Sequence, residues 1–140
     1  MTAETWDRVP LRSVVTKAIE PFRVDQAARI SIEGPEGIWL GAHTSLLLAM
    51  ALHELGTNAV KYGALSNDSG CIEIMWQPRA QSDQVVVSWR ERGGPAVALP
   101  EHQGFGSRLI KRATESGLGK AELDFQPQGL VCTLEVSLHR

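Results

Sequence analysis

Residues 44–62, TSLLLAMALHELGTNAVKY, leave the chain few choices of fold. Leu48, Leu52, Leu55 and Ala59 recur at steps of four, three and four, which gives one side of an α-helix an apolar face. The pattern predicts a helix with Thr44 as N-cap, running to Tyr62 and stopped by Gly63. Its most apolar part, TSLLLAMAL, is too short to span a bilayer. The face must therefore be covered by the rest of the chain.

That cover reads as β-structure. CIEIMW and QVVVSWR alternate apolar with polar residues and are separated by QPRAQSD, predicting a hairpin with a long turn. ARISIEG, stopping at Gly34-Pro35, predicts another strand, and AELDFQP with LVCTLEVSL a closing hairpin turned through Gln128-Gly129. Apolar positions 11, 14, 15, 18 and 19 predict a helix ended by Pro21. A further helix is predicted over 105–116, stopped by Gly117. Between the second hairpin strand and that helix, four glycines and two prolines in ERGGPAVALPEHQGFG predict a loop over 92–104, long enough to be a functional lid. Paired strands interleaved with helices imply an α+β fold: a two-layer sandwich with about three helices on one face of a mixed, mostly antiparallel sheet.

With 140 residues the chain is expected to form a single domain, residues 1–10 being a disordered or linker start. A net charge of -2 and the lack of any basic run argue against nucleic-acid binding. Cys71 and Cys132 fall in β-like runs without metal-ligand spacing, which predicts buried free thiols in a reducing compartment. There is no secretion-type start, so a cytoplasmic protein, or a cytoplasmic portion of a larger one, without direct membrane contact is expected.

Three short stretches carry chemistry. Glu54, Asn58 and Lys61, spaced by four and three, share one side of the long helix. A solvated surface would account for them, yet Glu54 and Lys61 are seven apart, outside the favoured ion-pair spacing, and the residue between is an uncharged amide. A carboxylate, an amide oxygen and a lysine in one row suit hydrated Mg²⁺ and a phosphate. GFGSRLI opens a helix, where unpaired N–H groups make an anion site or simply a helix entry. SWRERGGP runs a strand into a carboxylate and then Gly93-Gly94, which reads as close backbone approach to a ligand or as a strand-end turn.

Taken together, HELGTNAVKYGAL, WRERGG and GFGSRLI resemble the ATP-binding catalytic domain of HWE-type sensor histidine kinases, within the GHKL ATPase superfamily, over about residues 11–138. His53, Trp89 and Glu91 supply the three letters of the subfamily's name. The resemblance implies ATP and Mg²⁺ as cofactors, with Asn58 and Glu54 on the metal, Glu54, Asn58 and Lys61 catalytic, and Lys61 balancing phosphate charge. It places Tyr62 beside the nucleotide, Glu91 where an acidic group accepts from the adenine amino group, and Gly93 and Gly94 against the base. Gly104, Phe105, Gly106 and Ser107 match the second glycine box that closes over the phosphates. His53 is read as structural, Trp89 as a wall or core aromatic, and Trp76 as its partner across the sheet.

Gly56 departs from the alanine expected there, a change worth about 1 kcal/mol of helix propensity. Thr133 is a candidate for the family's adenine-side threonine. The residues before Leu11 are too short for the dimerising helical hairpin that carries the phosphoacceptor histidine, and His43, His102 and His139 do not fit that role. The chain is therefore expected to be monomeric, unable to autophosphorylate alone, and to phosphorylate a separate helical dimerisation domain that relays to a response regulator. Two other readings share the same residues: a nucleotide-gated interaction module without turnover, and an anti-sigma-type serine kinase.

Overall fold

The structure, a computed structural model, describes residues 8–24, 27–80, 82–95 and 119–138. β1 (Arg8–Pro10) runs directly into α1 (Leu11–Arg23), and a 3₁₀ turn (Ala27–Arg29) leads into β2 (Ile30–Glu33). β3 (Trp39–Gly41) continues into α2 (Ala42–Lys61), followed by β4 (Cys71–Pro78), β5 (Gln84–Arg92), β6 (Gly119–Gln126) and β7 (Gly129–Ser137). Five strands form one sheet in the order β2-β4-β5-β7-β6. Only the β2–β4 pair is parallel. This is the mixed, mostly antiparallel sheet of an α+β sandwich. The helix predicted over 105–116 lies outside the described residues, as does the predicted lid from residue 96 onward.

Strand alternation decides which side faces the helices. Along β5, Val85, Val87, Trp89 and Glu91 are buried in turn, and across it Ile72, Ile74 and Trp76 of β4 and Cys132, Leu134 and Val136 of β7 share that side. The predicted face of α2 closes over them: Leu48, Leu52, Leu55 and Ala59 are at most 1% exposed. Leu11, Val14, Val15 and Ile19 of α1 join the same core. Each fully buried side chain of this size stabilises by about 1.5–3 kcal/mol relative to leaving it exposed. Among the described residues no helix is long and apolar enough to cross a membrane.

Several local expectations change. Thr44 does not cap α2, which starts after Gly41 in extended backbone with no side-chain cap. The start is set by tertiary pairing: β3 pairs antiparallel with β1, Trp39 opposite Pro10 and Gly41 opposite Arg8, and the Leu11 N–H donates to the Ile38 carbonyl at 2.8 Å. Residues 8–10, expected in a disordered or linker start, are therefore a strand. Pro21 sits inside the last turn of α1, where only one backbone bond is forgone, and the helix continues to Arg23. Trp76 stands opposite Val87 and Trp89 opposite Ile74, so the two indoles are diagonal rather than paired. Both cysteines are free, but Cys71 is only half-buried, whereas Cys132 is fully buried.

Candidate functional site

α2 stops where its apolar face gives out. Its last buried residue is Ala59; the Tyr62 N–H donates to the Asn58 carbonyl at 2.8 Å, and the Gly63 N–H is shared by the Asn58 and Ala59 carbonyls. Glu54 and Asn58 lie one turn apart and half-buried, while Lys61 and Tyr62 are exposed at the helix end. His53 stands on the exposed side with its ring 5.3 Å from that of Phe22, tilted by 53°, a contact between α2 and α1. The same phenyl ring explains Gly56. A Cβ there would lie 2.6 and 2.7 Å from Cδ2 and Cζ of Phe22, well inside the 3.5–4.0 Å of ordinary contact, so the α1 aromatic packs directly on α2 backbone.

The chain leaving α2 is held from three sides. Arg29, just before β2, donates from Nε to the Gly70 carbonyl at 2.7 Å and from Nη2 to the carbonyls of Ala64 and Asn67 at 2.8 and 2.6 Å. The Asn67 Oδ1 accepts from the Ser69 and Gly70 N–H groups, an Asx turn. Asn67 Nδ2 and Ser69 Oγ then donate to the Gly93 carbonyl at 3.1 and 3.2 Å, tying this loop to the end of β5. Gly93 has a φ of 73°, and a Cβ on Gly94 would come within 2.8 Å of the Ala64 Cα. Main chain is thus laid against main chain.

Glu91 closes the third side. It is an inward-facing carboxylate, opposite Ile72 and 4% exposed. Its Oε1 accepts from the Ala64 N–H at 2.9 Å and its Oε2 from the Trp89 indole Nε1–H at 2.9 Å. Any Cβ on Gly63 would collide with Oε1. Burial pushes the Glu91 carboxyl above its ordinary range, opposed by the hydrogen bonds from Trp89 and Ala64. Cys132 on β7, opposite Trp89, has its thiol pushed up to about 12, by burial first and then by the charge of Glu91.

The fold therefore brings Glu91 and Gly94 against Gly63 and Ala64, directly after Lys61 and Tyr62, and Gly93 against Ser69 and Gly70. Gly104, Phe105, Gly106 and Ser107 lie outside the described residues. Thr133 pairs with Ser88, alternating with buried Cys132 and Leu134, and so faces away from Glu91. Neither Arg29 nor the turn at Asn67 was anticipated: nothing in a lone arginine announces three carbonyls across the fold, whereas the NDSG sequence carries a turn signal that could have found the second. Among the described residues no three His, Cys, Asp or Glu side chains gather as metal ligands.

No family model matches the chain. It is 38% identical over 137 residues to "Blue-light-activated histidine kinase 1" of Erythrobacter litoralis, covering 96% of this chain and 37% of that protein. It is 37% identical over 131 residues to "Blue-light-activated histidine kinase" of Brucella anthropi, covering 91% of this chain and 26% of that protein. The relatives of this chain are histidine kinases. The solved catalytic domain of histidine kinase ThkA superposes on this chain with a TM-score of 0.71 at 17% identity, covering 93% of this chain and 94% of that one. The histidine kinase domain of the Erythrobacter litoralis EL346 blue-light activated histidine kinase gives a TM-score of 0.72 at 15% identity, covering 93% and 62%. At those identities the structures establish the fold alone, the α+β sandwich expected, shared with histidine kinase catalytic domains. The chain spans little more than a third of the curated relatives it matches, or less.

Proposed function

We propose that this chain is an HWE-type histidine kinase catalytic domain that binds Mg-ATP and transfers the γ-phosphoryl group to a histidine on a separate helical dimerisation domain, for relay to an aspartate of a response regulator. The observation that carries the reading is the buried Glu91 carboxylate held against the main chain that follows the Asn58 helix. Beside it Gly63 carries no side chain, so its main chain lies directly against the carboxylate. The donor set fits a hydrated Mg²⁺, which takes one or two protein oxygens and completes its shell with water and phosphate. Asn58 and Glu54 supply those oxygens, Lys61 neutralises phosphate, and Tyr62 packs beside the nucleotide. Glu91 accepts from the adenine amino group, Gly93 and Gly94 lie along the base, and Gly104, Phe105, Gly106 and Ser107 close over the phosphates. When bound, the metal offsets phosphate charge. The protein's own part is positioning: Glu54 orients the attacking group while the γ-phosphorus exchanges its bridging oxygen for an imidazole nitrogen and ADP departs.

The relatives named above are all called histidine kinases, and ThkA has been crystallised in complex with the response regulator protein TrrA, which supports the relay. A cytoplasmic location and a monomeric state of the chain follow from the same reading. Thermal-shift titration with ATP, with and without Mg²⁺, tests it: occupancy stabilises by RT ln(1 + [L]/Kd), so a hundredfold excess over Kd is worth about 2.7 kcal/mol. Asn58→Asp should abolish the Mg²⁺-dependent part. A chain that shows no shift at millimolar Mg-ATP overturns the proposal.

A further inference from the structure

Two residues of the Trp-x-Glu stretch point the same way from β5, because positions two apart share a side of a strand. Trp89 is 1% exposed and Glu91 4% exposed, and the indole Nε1–H donates to Glu91 Oε2 at 2.9 Å while the Ala64 N–H donates to Oε1 at the same distance. Each oxygen therefore faces one fixed donor. An indole N–H only donates, and its ring is locked in the core between β4 and β7. A carboxylate held this way keeps its remaining lone pairs for accepting and has no proton to offer.

We propose that Trp89 is a positioning residue for base selection: its indole N–H holds Glu91 as an acceptor-only carboxylate, so that the site favours a purine bearing an amino group at the 6-position over one bearing a carbonyl there. The inference rests on the nucleotide-site reading above. The surroundings support it. Opposite Glu91 on β4 is apolar Ile72; from β7 comes Cys132, whose raised thiol stays neutral; and behind the Ala64 loop sits the Arg29 guanidinium, a fixed positive charge. Burial works against the ionised carboxylate, and the Trp89 and Ala64 donors oppose it. Without the indole donor only Ala64 remains to do so.

The test compares dissociation constants for ATP and inosine 5′-triphosphate on the whole chain and on Trp89→Phe, which keeps an aromatic ring and removes the donor. The unmutated chain should prefer ATP. In Trp89→Phe that preference should fall by roughly tenfold, the lower end of what a hydrogen bond to a charged group is worth, with inosine triphosphate binding nearly unchanged. Equal weakening of both nucleotides, or an intact preference, overturns the role of Trp89 while leaving the nucleotide site standing. Binding of neither nucleotide by the unmutated chain overturns the site itself. If Trp89→Phe does not fold, the indole N–H resonance of Trp89 in the unmutated chain decides. It should exchange far more slowly than that of Trp39, which is 41% exposed, and should shift more with ATP than with inosine triphosphate. An indole proton that exchanges freely, or answers both nucleotides alike, overturns the inference.

Discussion

Gly56→Ala should reverse its sign according to what stands at position 22. In isolation, alanine in the middle of α2 gains about 1 kcal/mol of helix propensity over glycine. Here the added methyl would meet the Phe22 ring, with Cδ2 and Cζ at 2.6 and 2.7 Å, so the ring must retreat by about 1 Å to restore ordinary contact. Phe22 is half-buried and its ring also meets His53, so the retreat gives up apolar burial and that contact. Overpacking of this kind costs about 1–3 kcal/mol, which outweighs the propensity gain and leaves a net loss of about 1 kcal/mol. In a Phe22→Ala background the obstacle is gone and the same substitution should stabilise by about 1 kcal/mol, a coupling of about 2 kcal/mol between the sites. Urea unfolding of the chain, the two single variants and the double variant measures this directly. If Gly56→Ala raises stability while Phe22 is present, or if the two effects simply add, the packing argument is wrong.

Replacing Arg29 by alanine should cost about 2 kcal/mol or more, since one charged donor group serves three carbonyls, and Arg29→Lys should recover little because an ammonium cannot span them. Amide hydrogen exchange should quicken at Ala64 and Gly70 in both variants, and unchanged protection there would show that the loop does not depend on Arg29. Glu91 has a folded pKa raised above its ordinary 4.5, so between that value and the folded one the native chain keeps a proton that the unfolded chain has lost. Its contribution to stability is therefore fully present below about pH 4.5 and lost as pH rises through the folded pKa. Melting curves of the chain against Glu91→Gln should converge at low pH and separate upward through that window, and parallel curves would refute the assignment.

Much of the fold was legible because its two periodicities are clean. Leu48, Leu52, Leu55 and Ala59 marked the buried side of α2 from spacing alone, and the alternation in QVVVSWR marked β5 as a strand. What escaped reading was fixed at a distance. The strand at Arg8–Pro10 exists because Trp39–Gly41 lies beside it, and the same pairing moves the start of α2 from Thr44 to Ala42. At the site, Glu91 and the two glycines after it stood out as a carboxylate followed by breakers. The donors on Glu91 did not, because a main-chain N–H from Ala64 leaves no mark in a sequence and the tie to Trp89 becomes visible only once both side chains face inward. Gly56 looked like a departure from expectation until Phe22, from another helix, filled the missing space.

The wall made by Gly63, Ala64, Gly93 and Gly94 is almost entirely amides and carbonyls, packed so closely that a methyl group at Gly63 or Gly94 collides with Glu91 or with Ala64. An inhibitor designed to read those main-chain groups would leave resistance few routes: the substitutions that alter its contacts are the same ones that break the wall.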